Sequence, residues 1–187
     1  MNKRSFLAAG LLAALATACT TTSSTGGDPA ARRTSIDSSV DSALSKLYAQ
    51  VPGSRELTGK AKGVLVFPSV VSAGLGVGGS YGQGALRVGG KTDGYYSTTA
   101  ASVGLLAGAD SKAVYVLFMT QEALDKFRAS RGWTAGADAS VTMLKVGASA
   151  AVDTQTAQQP VVGYALSNAG LMANLSLDGT KVNKLDL

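Results

Sequence analysis

Gly74-Leu75-Gly76-Val77-Gly78-Gly79-Ser80-Tyr81-Gly82-Gln83-Gly84-Ala85-Leu86-Arg87-Val88 is the stretch on which the fold turns. Its first six residues satisfy G-x-G-x-x-G, and Asp93 lies at the distance of a ribose-binding acid. A dinucleotide site needs a helix to open at the last glycine, and Ser80-Tyr81-Gly82-Gln83-Gly84 is a poor helix former. Gly78 to Gly82 also satisfy G-x-S-x-G, the nucleophile elbow, but the chain contains no histidine to serve Ser80 as a base, and no Ser-x-x-Lys spacing. The stretch therefore reads as a glycine-rich strand.

Outward from it, short apolar runs at Val64 to Phe67, Val114 to Phe118 and Val161 to Leu166 suit strands buried on both sides. Trp133 to Met143 alternates with period two, as do Leu171 to Leu177 and, less cleanly, Tyr95 to Leu106. The three runs start about 50 residues apart, and each precedes a Gly/Ala-rich segment (74–88, 133–146, 170–182), which reads as a threefold structural repeat. Helices are expected at 35–49, where Ile36, Val40, Leu44, Leu47 and Tyr48 recur at spacings of three and four behind Ser35 as N-cap, at 54–61, and at 121–131 between Thr120 and a stop at Gly132. The fold class is α+β and β-dominated: an antiparallel closed or nearly closed sheet, barrel-like, with covering helices. A doubly wound parallel sheet is disfavoured because 68–113 holds glycine-rich strands where crossover helices would be needed.

Composition narrows the function. Of 187 residues, 23 are glycine and 4 proline, which excludes collagen and Pro-rich disorder, and 45% are hydrophobic, enough for a core. The absence of histidine and the single cysteine remove Cys/His zinc sites, Ser-His-Asp and Cys-His systems and intrachain disulfides. Acidic residues show no metal-ligand clustering; Asp37 and Asp41 read as a solvated helix face. No catalytic residue, metal or cofactor is expected, and the chain is not expected to be an enzyme. Basic and aromatic residues are not interleaved, so nucleic acid is not an expected partner.

The lone cysteine has a meaning of its own. Asn2-Lys3-Arg4, the uncharged apolar run Phe6 to Ala16 and Ala16-Thr17-Ala18-Cys19 make a bacterial export signal with a lipobox, too short for a permanent membrane span. Residues 1–18 are the expected signal peptide, Cys19 the lipid attachment site, 19–34 a flexible tether and 35–187 the folded domain. Loss of Lys3 and Arg4 takes the formal charge from +5 to +3. Thr20 after the cysteine, rather than Asp, favours the outer membrane, facing the periplasm. On the domain, Lys46, Arg55, Lys60 and Lys62 form a basic segment suited to an anionic phospholipid or membrane surface. A competing basic helix end holds Lys126, Arg128 and Arg131, with Trp133 as an interfacial aromatic.

Ala61-Lys62-Gly63-Val64-Leu65-Val66-Phe67-Pro68, followed by Gly74-x-Gly76-x-Gly78-Gly79 and Gly82-x-Gly84, resembles the core signature of the SYLF domain, the lipid-binding SYLF family. Tyr96-Ser97, Gly136 to Val141, Tyr164-x-x-Ser167-x-x-Gly170-Leu171-x-Ala173 and Ser176-Leu177-x-Gly179 extend the resemblance over about 35–182. It implies a non-catalytic phospholipid- or membrane-binding lipoprotein of the bacterial envelope. The alternative is a structural or scaffolding envelope lipoprotein acting through protein–protein contacts, with another envelope protein or a second copy of itself.

Overall fold

In a computed structural model of the chain, the described residues are 28–144, 158–168, 170–172 and 176–187, with backbone alone described at 76 and 102–108. The expected signal peptide, Cys19 and most of the expected tether lie outside them. The elements run α1 (Pro29–Gln50), α2 (Ser54–Lys60), β1 (Gly63–Val88), β2 (Lys91–Phe118), α3 (Gln121–Ala129), β3 (Gly132–Thr134), β4 (Thr142–Met143), β5 (Val161–Ser167), β6 (Gly170–Leu171) and β7 (Lys181–Leu185).

Helix α1 begins six residues before its expected start, so 29–34 is helix and not tether. The Asp28 carboxylate accepts from Ala30 N at 3.0 Å, and Pro29 enters at the first helical position, where its fixed φ is already helical. Ser35 sits inside the helix, its carbonyl accepting from the Ser38 and Ser39 hydroxyls. Thr120 caps α3 as expected, its hydroxyl accepting from Ala123 N. That helix ends at Ser130, in extended conformation, and Gly132 already belongs to β3.

The sheet is built on one long hairpin. β1 pairs antiparallel with β2 along its whole length, from Gly63 opposite Phe118 to Val88 opposite Lys91, closed by Gly89 and Gly90 at positive φ. The other side of β2 takes β7 at 95–99 and β5 at 113–118, both antiparallel. The three apolar runs thus lie side by side in β1, β2 and β5. They do not head a threefold repeat, because the second run closes its strand and is followed by α3.

The result is a strongly curled half-barrel, sheet-dominated as expected but not closed. Its path ends in β3 and β4, three and two residues long, too short to zip a seam. The expected strand 133–143 is interrupted: Gly136 adopts φ 87°, and the Asp138 carboxylate accepts from Thr134 N at 2.5 Å, making a turn in mid-segment. Of the expected strand 171–177, residues 173–175 lie outside the described set.

Both faces of the central strands are covered. Val64, Val66, Tyr115, Leu117, Val162 and Tyr164 pack against Ile36, Val40 and Leu47 of α1. Leu65, Phe67, Val116, Phe118 and Val161 pack on the other face with Leu124 and Phe127 of α3 and with Trp133. Each large aliphatic side chain buried this way contributes roughly 1.5–3 kcal/mol. Helix α1 is also tied down by charge. Asp37 and Asp41, expected to face solvent, hold Arg87 at 3.4 and 2.7 Å, and Asp37 accepts from Thr92 Oγ1 at 2.7 Å and Tyr95 OH at 2.8 Å. Burial, then the Asp37 hydrogen bond, raises the Tyr95 hydroxyl above its ordinary pKa.

Candidate functional site

The glycines of β1 decide the shape of the site. A Cβ on Gly74 would stand 2.4 Å from Gly78 Cα, one on Gly82 would stand 2.8 Å from Ser69 O, and one on Gly84 would stand 1.9 Å from Val66 O. Residues on either side of the Leu75–Gly76 region are therefore neighbours: the ribbon bends back on itself there. Opposite the bend, Leu75 pairs with Ala107 and Val77 with Val103, so Gly76 faces three residues of β2 across a bulge.

Inside the doubled ribbon lies an apolar cavity of about 380 Å³. Phe67, Val70, Val114, Val116, Trp133 and Val182 line it, all buried. Ser72, Ser80, Asp110, Lys112 and Asp178 give it a polar rim, in which Lys112 Nζ reaches Ser72 Oγ at 3.5 Å. For scale, a dry apolar cavity of about 150 Å³ holds benzene. Phe67 and Val70 both point inward because the β1–β2 register shifts between them.

The expected basic residues are dispersed. Lys46, Arg55, Lys60 and Lys62 are all exposed. Lys60 is paired with Glu56 at 2.6 Å, and Arg55 lies over the Tyr48 ring at 4.4 Å. The Lys60 hydrogen bond holds the Glu56 carboxyl below its ordinary pKa. Lys46 lines a cleft between α1 and the sheet together with Lys112, whereas Arg55 lines a different one with Arg87.

The competing cluster does not hold together either. Lys126 pairs with Glu122 at 2.7 Å. Arg128 forks onto Asp93, with Nε at 3.0 Å, which gives that acid a partner other than a ribose. Arg131 is exposed. Trp133 is only 4% exposed and stands edge-on to Phe118 and Phe127, so it is a core and cavity residue rather than an interfacial aromatic. On its strand Trp133 pairs with Val182 of β7 at the edge of the sheet.

Two tyrosines in the α1-facing core stand apart chemically. Burial pushes both Tyr115 and Tyr164 up to about 12. Tyr115 OH donates to Ala43 O at 2.8 Å, while Tyr164 OH is buried with no hydrogen-bond partner. Among the described residues no three His, Cys, Asp or Glu side chains gather as a metal site, and no helix is long and apolar enough to cross a membrane.

The class this defines is an open, curled β domain enclosing a ligand-sized apolar cavity. Residues 99–186, a little under half of the chain, match the family model described as Ysc84, Las17-binding protein actin regulator. That segment is similar to a Ysc84, or SYLF, domain; it carries β3 to β7 with most of β2, and its Trp133, Thr180 and Val182 line the cavity. No curated protein matches the chain closely enough to count as a relative. Of the cavity-lining residues, sequence reasoning singled out only Trp133 as a site residue, and in another role; the serine and glycine positions that alternate with apolar ones from Val71 to Tyr81 are a usable signal for the rest.

Proposed function

We propose that this chain is a non-catalytic phospholipid-binding lipoprotein of the bacterial envelope, anchored through Cys19 at the outer membrane and facing the periplasm. The observation that supports the reading is the apolar cavity: its deep wall is hydrocarbon and aromatic, and its rim offers one ammonium, two carboxylates and two hydroxyls. That is the layout of a site that takes an apolar chain inward and leaves a polar head outside. A cavity of this size accepts part of an acyl chain, with the remainder left in the bilayer.

The test is saturable binding of a fluorescent phospholipid by the full chain, with Ala100→Phe to fill the half-buried wall. Binding that the variant loses at unchanged thermal stability supports the reading. Absence of binding, with a stable protein complex instead, favours the scaffolding alternative, which the actin-regulator description of the family keeps in play. Mass spectrometry of the membrane-extracted protein reads the anchor directly: a mature chain beginning with diacylated Cys19 is the expected species.

A further inference from the structure

From Ser69 to Tyr81 the usual polarity of a soluble strand is reversed. The even positions Ser72 and Ser80 turn into the cavity and Gly74 and Gly78 are half-buried, while the odd positions Val71, Ala73, Leu75, Val77 and Tyr81 face out. Leu75 is 84% exposed, Val77 69%, and Val71 and Tyr81 49% each. Strands with apolar-out, polar-in alternation are what a hydrocarbon surrounding selects. Charge follows the same order: residues 63–86 and 94–109 contain no Asp, Glu, Lys or Arg, and charge resumes on β2 at Asp110 and Lys112, which lie on the cavity rim.

We infer that the bend of the β1–β2 ribbon is a membrane-inserting tip, with Leu75 and Val77 entering the acyl region of a bilayer, Tyr81 at headgroup level and Lys112 above it. The layering of apolar apex, aromatic and cation is that of an interfacial anchor. Backbone pairing within the ribbon satisfies its inner edges, so shallow insertion of the tip is tolerated while deep burial of its outer edges is not. A protein partner is less suited: a stable protein interface uses roughly 20–30 residues a side, and among the described residues the tip exposes four large apolar side chains. Ser72 and Ser80 stand three residues from Leu75 and Val77, so a seated tip sets the cavity mouth on the membrane. The inference rests on the lipid-binding reading and adds to it which surface meets the bilayer.

The experiment uses the full chain with Cys19→Ser, so that a single introduced thiol carries an NBD label, either at Leu75→Cys or, as control, at Ser45→Cys on the exposed side of α1. Vesicles of phosphatidylethanolamine and phosphatidylglycerol should raise and blue-shift the emission several-fold at position 75, with quenching by brominated acyl chains, and leave position 45 unchanged. Leu75→Ser with Val77→Ser should lower vesicle flotation by at least about tenfold, with an unchanged circular dichroism spectrum. Flotation without any change at position 75 overturns the inference and leaves the lipid-binding reading standing. Neither flotation nor phospholipid uptake overturns both. A dimer in sedimentation that the Leu75→Ser, Val77→Ser chain loses overturns the inference in favour of a second copy.

Discussion

Gly84→Ala tests whether the doubling of β1 is set by backbone contact. An added Cβ would stand 1.9 Å from Val66 O, 2.8 Å from Val66 C and 2.9 Å from Phe67 Cδ1, where ordinary contact begins at 3.4 Å. Roughly 1.5 Å must be made between two main-chain segments, and neither can swing away as a side chain could. Overpacking typically costs about 1–3 kcal/mol, and backbone obstruction puts this site at about 3 kcal/mol or more. For a chain of this size that lowers the melting temperature by about 6–12 °C. Gly59→Ala is the internal control. Nothing lies within 4 Å of its Cβ, and it sits in α2, so the reduced freedom of the unfolded chain should stabilise by about 0.5–1 kcal/mol. Thermal and urea unfolding followed by circular dichroism read both. A Gly84→Ala protein that melts with the parent would refute the close approach and, with it, the bend about Gly76.

Arg87→Ala should destabilise by about 2–3 kcal/mol, because it strips the mostly buried guanidinium from Asp37 and Asp41 and loosens α1; the value is kept below that of a fully buried pair since Asp41 is largely exposed. Tyr164→Phe should be neutral or stabilising, since it removes a buried hydroxyl without a partner, whereas Tyr115→Phe should lose about 1 kcal/mol with its bond to Ala43 O. Because Tyr115 and Tyr164 are held neutral up to about 12, above the ordinary 10, the stability they contribute is complete below pH 10 and falls as pH rises toward 12; spectrophotometric titration alongside alkaline melting would show it, and a single tyrosine class ionising near 10 would contradict it. Replacing Lys46, Arg55, Lys60 and Lys62 together by Gln should leave thermal stability unchanged, and Trp133 fluorescence should be blue and poorly quenched by acrylamide with or without vesicles; a red, readily quenched Trp133 would restore it as an interfacial residue.

Local chemistry wrote much of this molecule in the open. The apolar runs at 64–67, 114–118 and 161–166 are strands buried on both faces, α3 starts where Thr120 caps it, and the glycine motifs lie on continuous strand instead of before a helix. Those features follow from side-chain period, cap chemistry and helix propensity, which act over a few residues and need no knowledge of distant partners. The start of α1 is legible too, in Asp28-Pro29, but Ser35 is also a good cap and points six residues too late.

Other features existed only once the chain was folded. That Trp133 would stack between Phe118, Phe127 and Val182, that Asp37 and Asp41 would meet Arg87 some 46–50 residues on, and that Arg128 would neutralise Asp93 are matters of which strand lies beside which. Most of all, composition told that β1 is rich in glycine but not what the glycines are for. A strand with small residues can pair straight, curl into a closed barrel or bend back on itself, and period two is the same in all three. Only the approach of Gly84 to Val66 and of Gly74 to Gly78 selects the bend. It makes the cavity and turns the apolar side of the ribbon outward, because backbone can touch backbone only where no Cβ stands between.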